Sequence, residues 1–241
     1  MHLSIVIPAF NEERLIEQCL QSIYAGLAAN SQSGFTSEII VVDNNSTDDT
    51  ANLARQAGAR VVFEPINQIG RARNSGAARA TGDWLLFVDA DSCPTRDLFV
   101  DVVTVISSGT CVAGGSTVRV DLNGLVYAAG IGWWNLLSRT CKWAAGSFIF
   151  CETAVFREIG GFTERLYAAE EIDLFRRLKR LARRRRRSLV ILHRHPLLTS
   201  ARKAHLYTIS EVLRFWGRTL LSGGRTFRNR EGAFPWYDGR R

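Results

Sequence analysis

Residues 83–91 read DWLLFVDAD, an apolar run that ends in two carboxylates separated by one residue. A short run that is apolar throughout is typical of a strand buried on both faces of a parallel sheet. Two neighbouring acids at its end repel each other, and they are costly unless a cation or hydrogen-bond donors neutralise them. The stretch therefore predicts a buried strand that carries Asp89 and Asp91 to a polar site.

Similar runs precede this one and alternate with segments of helical periodicity. The predicted strands are Leu3–Pro8, Glu38–Asp43, Arg60–Phe63 and Asp83–Asp89. Between them we predict a helix capped by Asn11, a second capped by Ser46 or Thr47 and running to about Ala57, and a third over Gly70–Ala80. This order indicates βαβ units, and so an α/β fold with a mainly parallel sheet flanked by helices. Ligands of such sheets bind at the carboxyl ends of the strands.

The length of the chain, 241 residues, suits one sizeable α/β domain. The formal charge of +8 is uneven, because residues 1–175 carry a net −8 and residues 176–241 a net +16. The basicity belongs to the C-terminal quarter, so we expect no nucleic-acid partner for the fold as a whole. We expect this quarter to be a basic, helical extension packed on the domain, and its helix to carry Leu206, Ile209, Leu213 and Trp216.

Residues 176–187 include nine basic residues and no acid, and Arg183–Arg187 are contiguous. One interpretation is a solvated helix end, where cations suit the helix dipole. The other is an anionic partner, either a phospholipid surface or a lipid-phosphate acceptor.

Five cysteines without paired spacing, and no signal-peptide pattern, favour reduced thiols in the cytoplasm. The inner face of the plasma membrane is the alternative location, reached through the arginine run. The uncharged stretch Leu122–Ser138 is interrupted by glycine and asparagine. We interpret it as buried or interfacial and not as a membrane span.

The Asp89-Ala90-Asp91 motif is the sharpest chemical signal. Mg²⁺ and Mn²⁺ favour oxygen ligands, and a Mg²⁺ site typically uses one or two carboxylates together with phosphate oxygens and water. The motif therefore predicts Mn²⁺ or Mg²⁺ held against a diphosphate. A polar loop that caps the next helix is the alternative.

Four blocks extend this signal along the chain: PAFNEE at 8–13, VVDNNSTDDT at 41–50, GRARNSGAARATGDWLLFVDADS at 70–92 and GGFTERLYAAEEIDL at 160–174. In this order and spacing they resemble the family 2 glycosyltransferases of the GT-A fold, from the N-terminus to about Leu178. The resemblance implies an inverting transferase that uses a nucleotide-sugar, with UDP favoured, a divalent metal and an unidentified acceptor. It also implies a GT-A domain over 1–181, with a nucleotide half at about 1–92 and an acceptor half at about 93–181, followed by the extension 182–241.

The resemblance also implies roles for individual residues. The donor nucleotide would contact Pro8, Ala9, Glu12, Asp43, Arg71 and Asp89. Asp91, together with Asp89, would hold the metal. Trp143, Gly146 and Ser147 would face the acceptor and the transferred sugar. The alternatives are structural: a strand end at Pro8, a first-turn acid at Glu12, a capping acid at Asp43, a solvated arginine at Arg71 and a buried indole at Trp143.

The EEID block at 170–173 is the second chemical cluster. The family usually has Asp at the second position and uses it as the general base, whereas this chain has Glu171. Inverting displacement needs a base that takes the proton of the acceptor. We therefore predict Glu171 as the base, with Glu170 as the alternative in register. A helix start rich in acids would give the same local pattern.

His193 and His195 are candidates for a third metal ligand, because some GT-A enzymes take one from a C-terminal histidine. Two other functional classes remain open at this point. A nucleotidyltransferase would need a glycine-rich phosphate loop near the N-terminus, and PAFNEE is not such a loop. A non-catalytic binder of anionic polymers or membrane surfaces would leave the paired carboxylates without a role.

Overall fold

The computed structural model of the chain describes residues 1–30, 34–120, 125–200, 211, 214–215, 217–219, 222, 224–233 and 237. Eight strands and seven helices make up the described fold. The strands are β1 (His2–Ala9), β2 (Thr36–Asp43), β3 (Arg60–Phe63), β4 (Trp84–Val88), β5 (Ser92–Cys93), β6 (Cys111–Val120), β7 (Phe148–Glu152) and β8 (Ser188–Thr199). The helices are α1 (Ile16–Ala29), α2 (Thr50–Gln56), α3 (Ile69–Arg79), α4 (Arg96–Ser107), α5 (Leu125–Cys141), α6 (Thr153–Glu158) and α7 (Glu170–Arg185).

The strands form one sheet in the order β3-β2-β1-β4-β7-β6-β8-β5. Strands β3, β2, β1 and β4 are mutually parallel, and β6 is parallel to β8. Strand β7 is antiparallel to both of its neighbours, as is β5 to β8. The predicted α/β class with a mainly parallel sheet is confirmed. The strand order reverses between β1 and β4, which is where open α/β sheets bind ligands.

Both faces of the sheet are buried, as the apolar runs predict. Along β1, Leu3, Ile5 and Ile7 belong to one core cluster, whereas Val6 belongs to the other. The first cluster also takes in the buried faces of α1 and α4, and the second takes in α3, α6 and α7. Alternating side chains of a strand point to opposite faces, so each layer of helices buries half of β1.

The sheet curls so strongly that its far edge returns to the end of β4. Strand β4 ends at Val88 and β5 begins at Ser92, although three strands separate them in the sheet. The backbone amide of Ser200, just after β8, donates to the carbonyl of Asp91 at 3.1 Å. The Asp89–Asp91 loop therefore lies between the two edges that the curl brings together.

Three local expectations need correction. Asn11 does not cap α1: its φ of 53° is left-handed, and the helix begins only at Ile16, after a turn in which the carbonyl of Glu12 accepts from Leu15 and Ile16. Helix α2 begins at Thr50 with Asp49 as its cap residue, not at Ser46 or Thr47.

The expected boundary at 181/182 lies inside α7, and β8, assigned to the extension, is a strand of the main sheet. The main sheet therefore continues to at least Thr199. The expected helix with Leu206, Ile209, Leu213 and Trp216 lies outside the described residues. Further along, Ala233 and Tyr237 are buried with Ala168, and the Tyr237 hydroxyl accepts from the amide of Ile69 at 3.1 Å. These last residues pack on the domain.

Across the parts of the chain that the structure describes, we find no helix long and apolar enough to span a bilayer.

Helix α3 approaches the sheet through Gly76. A Cβ there would lie 2.3 Å from Val6 Cγ1 and 2.8 Å from Val42 Cγ2. We expect Gly76→Ala to lower the free energy of unfolding by about 1–3 kcal/mol, because the methyl group overpacks this contact. Denaturant titration of the purified variant measures this change.

Gly130→Ala on α5 is the matched control, since its Cβ would meet nothing within 4 Å. We expect that change to be neutral or to gain up to about 1 kcal/mol of helix propensity. Equal effects of the two changes would contradict the packing role of Gly76.

Candidate active site

A cavity of about 240 Å³ opens at the carboxyl end of β4. Five segments meet there: α3, the loop after β4, the loop before β7, the start of α7 and the end of β8. Its lining comprises Ile69, Arg73, Asp89, Asp91, Gly146, Ser147, Ala169, Glu170, Glu171, Thr199 and Ser200. Both predicted metal-binding aspartates and both candidate bases therefore share one cavity, together with two of the predicted acceptor-side residues.

Arg73 is the centre of this cavity, and its side chain is almost completely buried. One guanidinium nitrogen donates to Glu170 Oε1 at 2.7 Å, and the other donates to Asp89 Oδ1 and to the carbonyl of Gly146, each at 2.8 Å. The guanidinium carbon lies 5.2 Å from the centre of the Phe162 ring. Burial acts to lower the pKa of Arg73, but the charges of Asp89 and Glu170 outweigh it and raise the pKa. Arg73 is therefore a permanent cation.

The sequence places Arg73 inside because it lies on the buried face of α3. The buried residues of this helix are Gly70, Ala72, Arg73, Gly76 and Ala77. Four of them are glycine or alanine, so the helix lies close to its neighbours and the one long side chain reaches the end of β4. A Cβ at Gly146 would come within 3.3 Å of Arg73 Nη2, so glycine there leaves room for the guanidinium.

The two glutamates at the start of α7 have different surroundings. Glu170 is 3% exposed and forms the ion pair with Arg73. Glu171 lines the cavity, and within the described ranges it has no salt-bridge partner. Burial, and then the charge of Glu170, raise the pKa of Glu171 to about 8. Burial also raises the pKa of Glu170, since it outweighs the attraction of Arg73.

Charge is unbalanced in the cavity. Asp89, Asp91, Glu170 and Glu171 are four carboxylates, and Arg73 is the single cation among the lining residues. Protonation of Glu171 removes part of the excess negative charge, and a divalent cation would neutralise more. An anionic ligand such as a diphosphate would be repelled from this cavity unless a cation accompanied it.

The donor set of the cavity fits Mg²⁺ or Mn²⁺. Asp89 and Asp91 offer carboxylate oxygens, and only Oδ1 of Asp89 is engaged by Arg73. No group of three or more metal-ligating side chains occurs among the residues that the structure describes. Two carboxylates completed by phosphate oxygens and water form a usual magnesium site.

Of the predicted donor-side residues, Asp89 lines the cavity, whereas Pro8, Ala9, Glu12 and Asp43 lie at the same edge of the sheet but do not line it. Ala9 pairs in register with Asp43, so the ends of β1 and β2 are adjacent. Asp43 is 8% exposed, and its Oδ1 accepts from the amide of Ser46 at 2.9 Å. Pro8 lies within β1, and Glu12 is 6% exposed in the turn that follows. All four lie at or close to the carboxyl ends of β1 and β2, and β1 is the strand next to β4.

The structure places Arg71 away from the cavity lining, where it pairs with Glu164 at 2.6 Å. Sequence reasoning selected Arg71 and missed Arg73. The signal was available: Arg73 is three residues before Gly76 and one residue after Ala72, on the stripe of small residues that a helix buries. An arginine on such a stripe indicates acidic partners in the interior.

Trp143 also lies outside the cavity lining. Its ring packs against α7, with Lys179 Nζ at 5.3 Å and the guanidinium carbon of Arg176 at 6.0 Å from its centre. Ser147 is at the cavity, and its carbonyl accepts from the amide of Asp89 at 3.2 Å. The predicted acceptor side is therefore represented at the cavity by Gly146 and Ser147.

His195 is remote from Asp91. Its Nδ1 lies 2.9 Å from Asp101 Oδ2 on α4. Along β8 it is four residues before Thr199, and unlike Thr199 it does not line the active-site cavity. His193 borders two other cavities. The geometry gives neither histidine a place beside the two aspartates.

The pKa of Glu171 generates a stability prediction. In the unfolded chain the carboxyl has its ordinary pKa, so between about pH 4.5 and pH 8 the folded state binds more protons than the unfolded state. This contribution to stability is present at acid pH and is lost as the pH rises to about 8. Glu171→Gln does not titrate, so we expect its melting temperature to rise relative to wild type across this window. Thermal denaturation at a series of pH values measures the difference.

Glu17→Gln is the control, because Glu17 is also a first-turn acid of a helix but is exposed. A constant difference between Glu171→Gln and wild type at all pH values would show that Glu171 is not desolvated.

Comparison with known proteins places this geometry in a family. Residues 4–160 match the family described as glycosyl transferase family 2. The chain is 40% identical over 113 residues to an uncharacterised glycosyltransferase of Mycobacterium tuberculosis, and the alignment covers 47% of each protein. The chain spans about half the length of the curated relatives it matches.

Solved structures share the fold at lower identity. A mannosyltransferase of Pyrobaculum calidifontis, in complex with GDP-Man and Mn²⁺, superposes with a TM-score of 0.64 at 20% identity, over 81% of this chain and 56% of that one. Glucosyl-3-phosphoglycerate synthase of M. tuberculosis, in complex with Mn²⁺, UDP and glucosyl-3-phosphoglycerate, gives a TM-score of 0.58 at 21% identity, over 98% and 80% of the two chains. The chain therefore belongs to glycosyl transferase family 2, and its fold is GT-A.

Proposed function

We propose that this protein transfers a sugar, with inversion, from a nucleoside-diphosphate sugar to an acceptor, using a divalent metal and a carboxylate base. The observation that carries the proposal is the cavity at the end of β4. There, four carboxylates and one buried arginine line the same space, and Glu171 has no cation paired with it among the described residues. Such a cavity offers carboxylates that could bind a metal-diphosphate complex and a separate carboxylate that could accept a proton.

The donor is held by the strand ends. The nucleotide would lie against Pro8, Ala9, Glu12 and Asp43, at the ends of β1 and β2, and its diphosphate would lie towards Asp89. UDP is the favoured nucleotide. Among the structural neighbours, the M. tuberculosis synthase was solved with UDP and Mn²⁺ and the mannosyltransferase with GDP-Man and Mn²⁺. These complexes support a nucleotide-sugar and a divalent metal as the ligands to test first.

Asp91 and Asp89 would hold the metal, Mn²⁺ or Mg²⁺. When bound, the metal supplies positive charge that stabilises the departing diphosphate. Arg73 fixes Asp89 through its 2.8 Å ion pair, so this carboxylate is oriented before any ligand binds. Preorganised charges of this kind need no rearrangement when the leaving group develops its own charge.

Glu171 would accept the proton of the acceptor hydroxyl. A general base works best when its pKa lies near the working pH, and burial raises the pKa of Glu171 to about 8. Glu170 is unsuited to this role because its carboxylate is held by Arg73. The small residues Gly146 and Ser147 leave space beside Glu171, and a Cβ at Gly146 would approach the Glu171 carboxyl carbon to 3.7 Å. We assign this space to the transferred sugar and the acceptor.

The metal proposal predicts how nucleotide binding responds to chelation. We expect UDP to bind much more tightly with Mn²⁺ than with a chelator, and we expect Asp91→Ala to remove that difference, because Asp89 alone would not hold the metal that offsets the charge of the diphosphate. Calorimetry with UDP, and thermal shift with a panel of nucleotide-sugars, measure both. Asp97→Ala is the control, since Asp97 is 73% exposed on α4. Equal affinity with and without metal in the wild-type protein would refute the metal role.

The base proposal predicts that substitutions of two neighbouring residues have different effects, one on the rate and the other on the melting temperature. Glu171→Gln keeps the shape but cannot take the proton, so we expect normal binding of UDP with metal and a rate lower by about 10²–10⁴. The rate is measured as hydrolysis of the nucleotide-sugar that the thermal-shift panel selects. Glu170→Gln breaks the ion pair with Arg73, so we expect it to lower the melting temperature, because a buried charge loses its partner.

The two variants also decide the register. If Glu170→Gln retains wild-type stability and loses more rate than Glu171→Gln, the base is Glu170. Wild-type rates in both variants would mean that the acids serve only the start of α7.

A further inference from the structure

Helix α5 exposes large apolar side chains close to the active site. Trp133 is 62% exposed and Leu136 is 52% exposed, three residues apart and so on the same face of the helix. Of the 17 residues of α5, Arg139 is the only charged one. Single exposed apolar residues are normal, but neighbouring ones on a helix with so little charge need a partner.

The packing of α5 fixes this face outwards. The side chain of Asn135 binds both backbone groups of Val118 on β6: its Oδ1 accepts from the amide at 3.0 Å, and its Nδ2 donates to the carbonyl at 2.9 Å. Ile131 and Trp134 pack on the core cluster of that side of the sheet. Rotation of α5 to bury Trp133 would break these contacts, so the exposure belongs to the folded state.

Two arginines border the same face. Arg119 on β6 and Arg139 on α5 line a cavity of about 350 Å³, together with Leu136, Asn135, His193 and Pro196. Neither arginine has a carboxylate partner within the described residues, where Arg185 pairs with Glu158 and Arg187 with Glu152. Unpaired cations beside exposed apolar side chains complement a surface that is negative outside and apolar beneath.

This face is next to the candidate active site. On β8, Pro196 borders the α5 cavity and Thr199, three residues later, borders the active-site cavity. Arg119 pairs in register with Leu198, which is 40% exposed. Three residues of strand span about 10 Å, so a molecule held at α5 can extend into the active-site cavity.

We propose that Trp133, Leu136, Arg119 and Arg139, called here the α5 face, dock on the surface of an anionic phospholipid bilayer. Trp133 and Leu136 enter the boundary between headgroups and acyl chains, where an indole is favoured. Arg119 and Arg139 remain at the level of the lipid phosphates, where each cation adds to the attraction. Because Pro196 at the α5 cavity is three residues from Thr199 at the active-site cavity, docking through this face brings the active site close to the membrane.

Vesicle cosedimentation tests the α5 face. We use the full chain with phosphatidylglycerol vesicles and with phosphatidylcholine vesicles, without nucleotide. We expect the wild-type protein to pellet with the anionic vesicles and much less with the neutral ones. The double variant Arg119→Gln/Arg139→Gln should bind the anionic vesicles about twenty-five-fold more weakly, at about fivefold for each arginine. The variant Trp133→Ser should lose affinity on the order of tenfold, because its indole no longer enters the lipid.

Two matched variants control for unspecific effects. Arg183→Gln/Arg184→Gln removes two positive charges, as the α5 double variant does, but from exposed positions in the last turn of α7. Phe63→Ser removes an aromatic ring that is 60% exposed on β3. We expect both to bind vesicles as the wild-type protein does. If Arg183→Gln/Arg184→Gln loses as much affinity as the α5 pair, attraction through the arginine run or the net charge explains binding, and the proposal is wrong.

Two further outcomes would overturn it. If inorganic phosphate binds at Arg119 and Arg139 in calorimetry while vesicles do not bind, the cavity is a site for a phosphorylated ligand in solution. If light scattering shows a dimer that Trp133→Ser dissociates, a second copy of the chain covers the face. All of these readouts are independent of sugar transfer. Metal-dependent UDP binding in the same variants shows whether the candidate active site is intact, so a failure of either proposal can be recognised separately.

Discussion

The buried guanidinium of Arg73 connects every part of the candidate active site. It joins α3 to the end of β4 through Asp89, to the start of α7 through Glu170 and to the loop before β7 through the carbonyl of Gly146. These segments are distant in sequence. A charge taken out of water is tolerated only with well-placed partners, so the position of Arg73 determines where two carboxylates and a backbone carbonyl must lie.

The ion pair between Arg73 and Glu170 also gives Glu170 and Glu171 different roles. Neighbouring residues at a helix start point in different directions, and only Glu170 reaches Arg73. Glu171 is left in a buried, negatively charged setting, which keeps its pKa high and disfavours its charged form. Ala169, at φ 62°, turns the chain into the helix at this point. A left-handed backbone at Ala169 and a desolvated acid at Glu171 are both costs to folding, and they lie two residues apart at the start of α7, where the proposed chemistry would take place.

The features predicted from sequence depend on local pattern, and those missed depend on long-range placement. Apolar runs predicted β1, β2 and β4 and the position of Asp89 at a strand end. A strand that is buried on both faces has a continuous apolar sequence, which is easy to recognise. The partner of Asp89 could not be predicted in the same way. Selecting Arg73 and not Arg71 required knowledge of which face of α3 is buried, and the small residues on that face are only a weak signal. His195 failed as a neighbour of Asp91 because the pairing of β8 with α4 has no local signal. Strand β8 itself was assigned to the extension because basic residues flank its apolar run.

Position also separates the two basic regions of the surface. Helix α7 begins at the cavity with Glu170, and its 16 residues carry the chain about 24 Å before the arginine run ends it. A membrane bound there would lie far from Glu171, and two of the five arginines are engaged by Glu152 and Glu158. Arg119 has no such acidic neighbour among the described residues and lies one strand position from the edge of the cavity. Proximity to the candidate active site, and not the number of positive charges, therefore favours α5 over the arginine run as the proposed membrane-facing side.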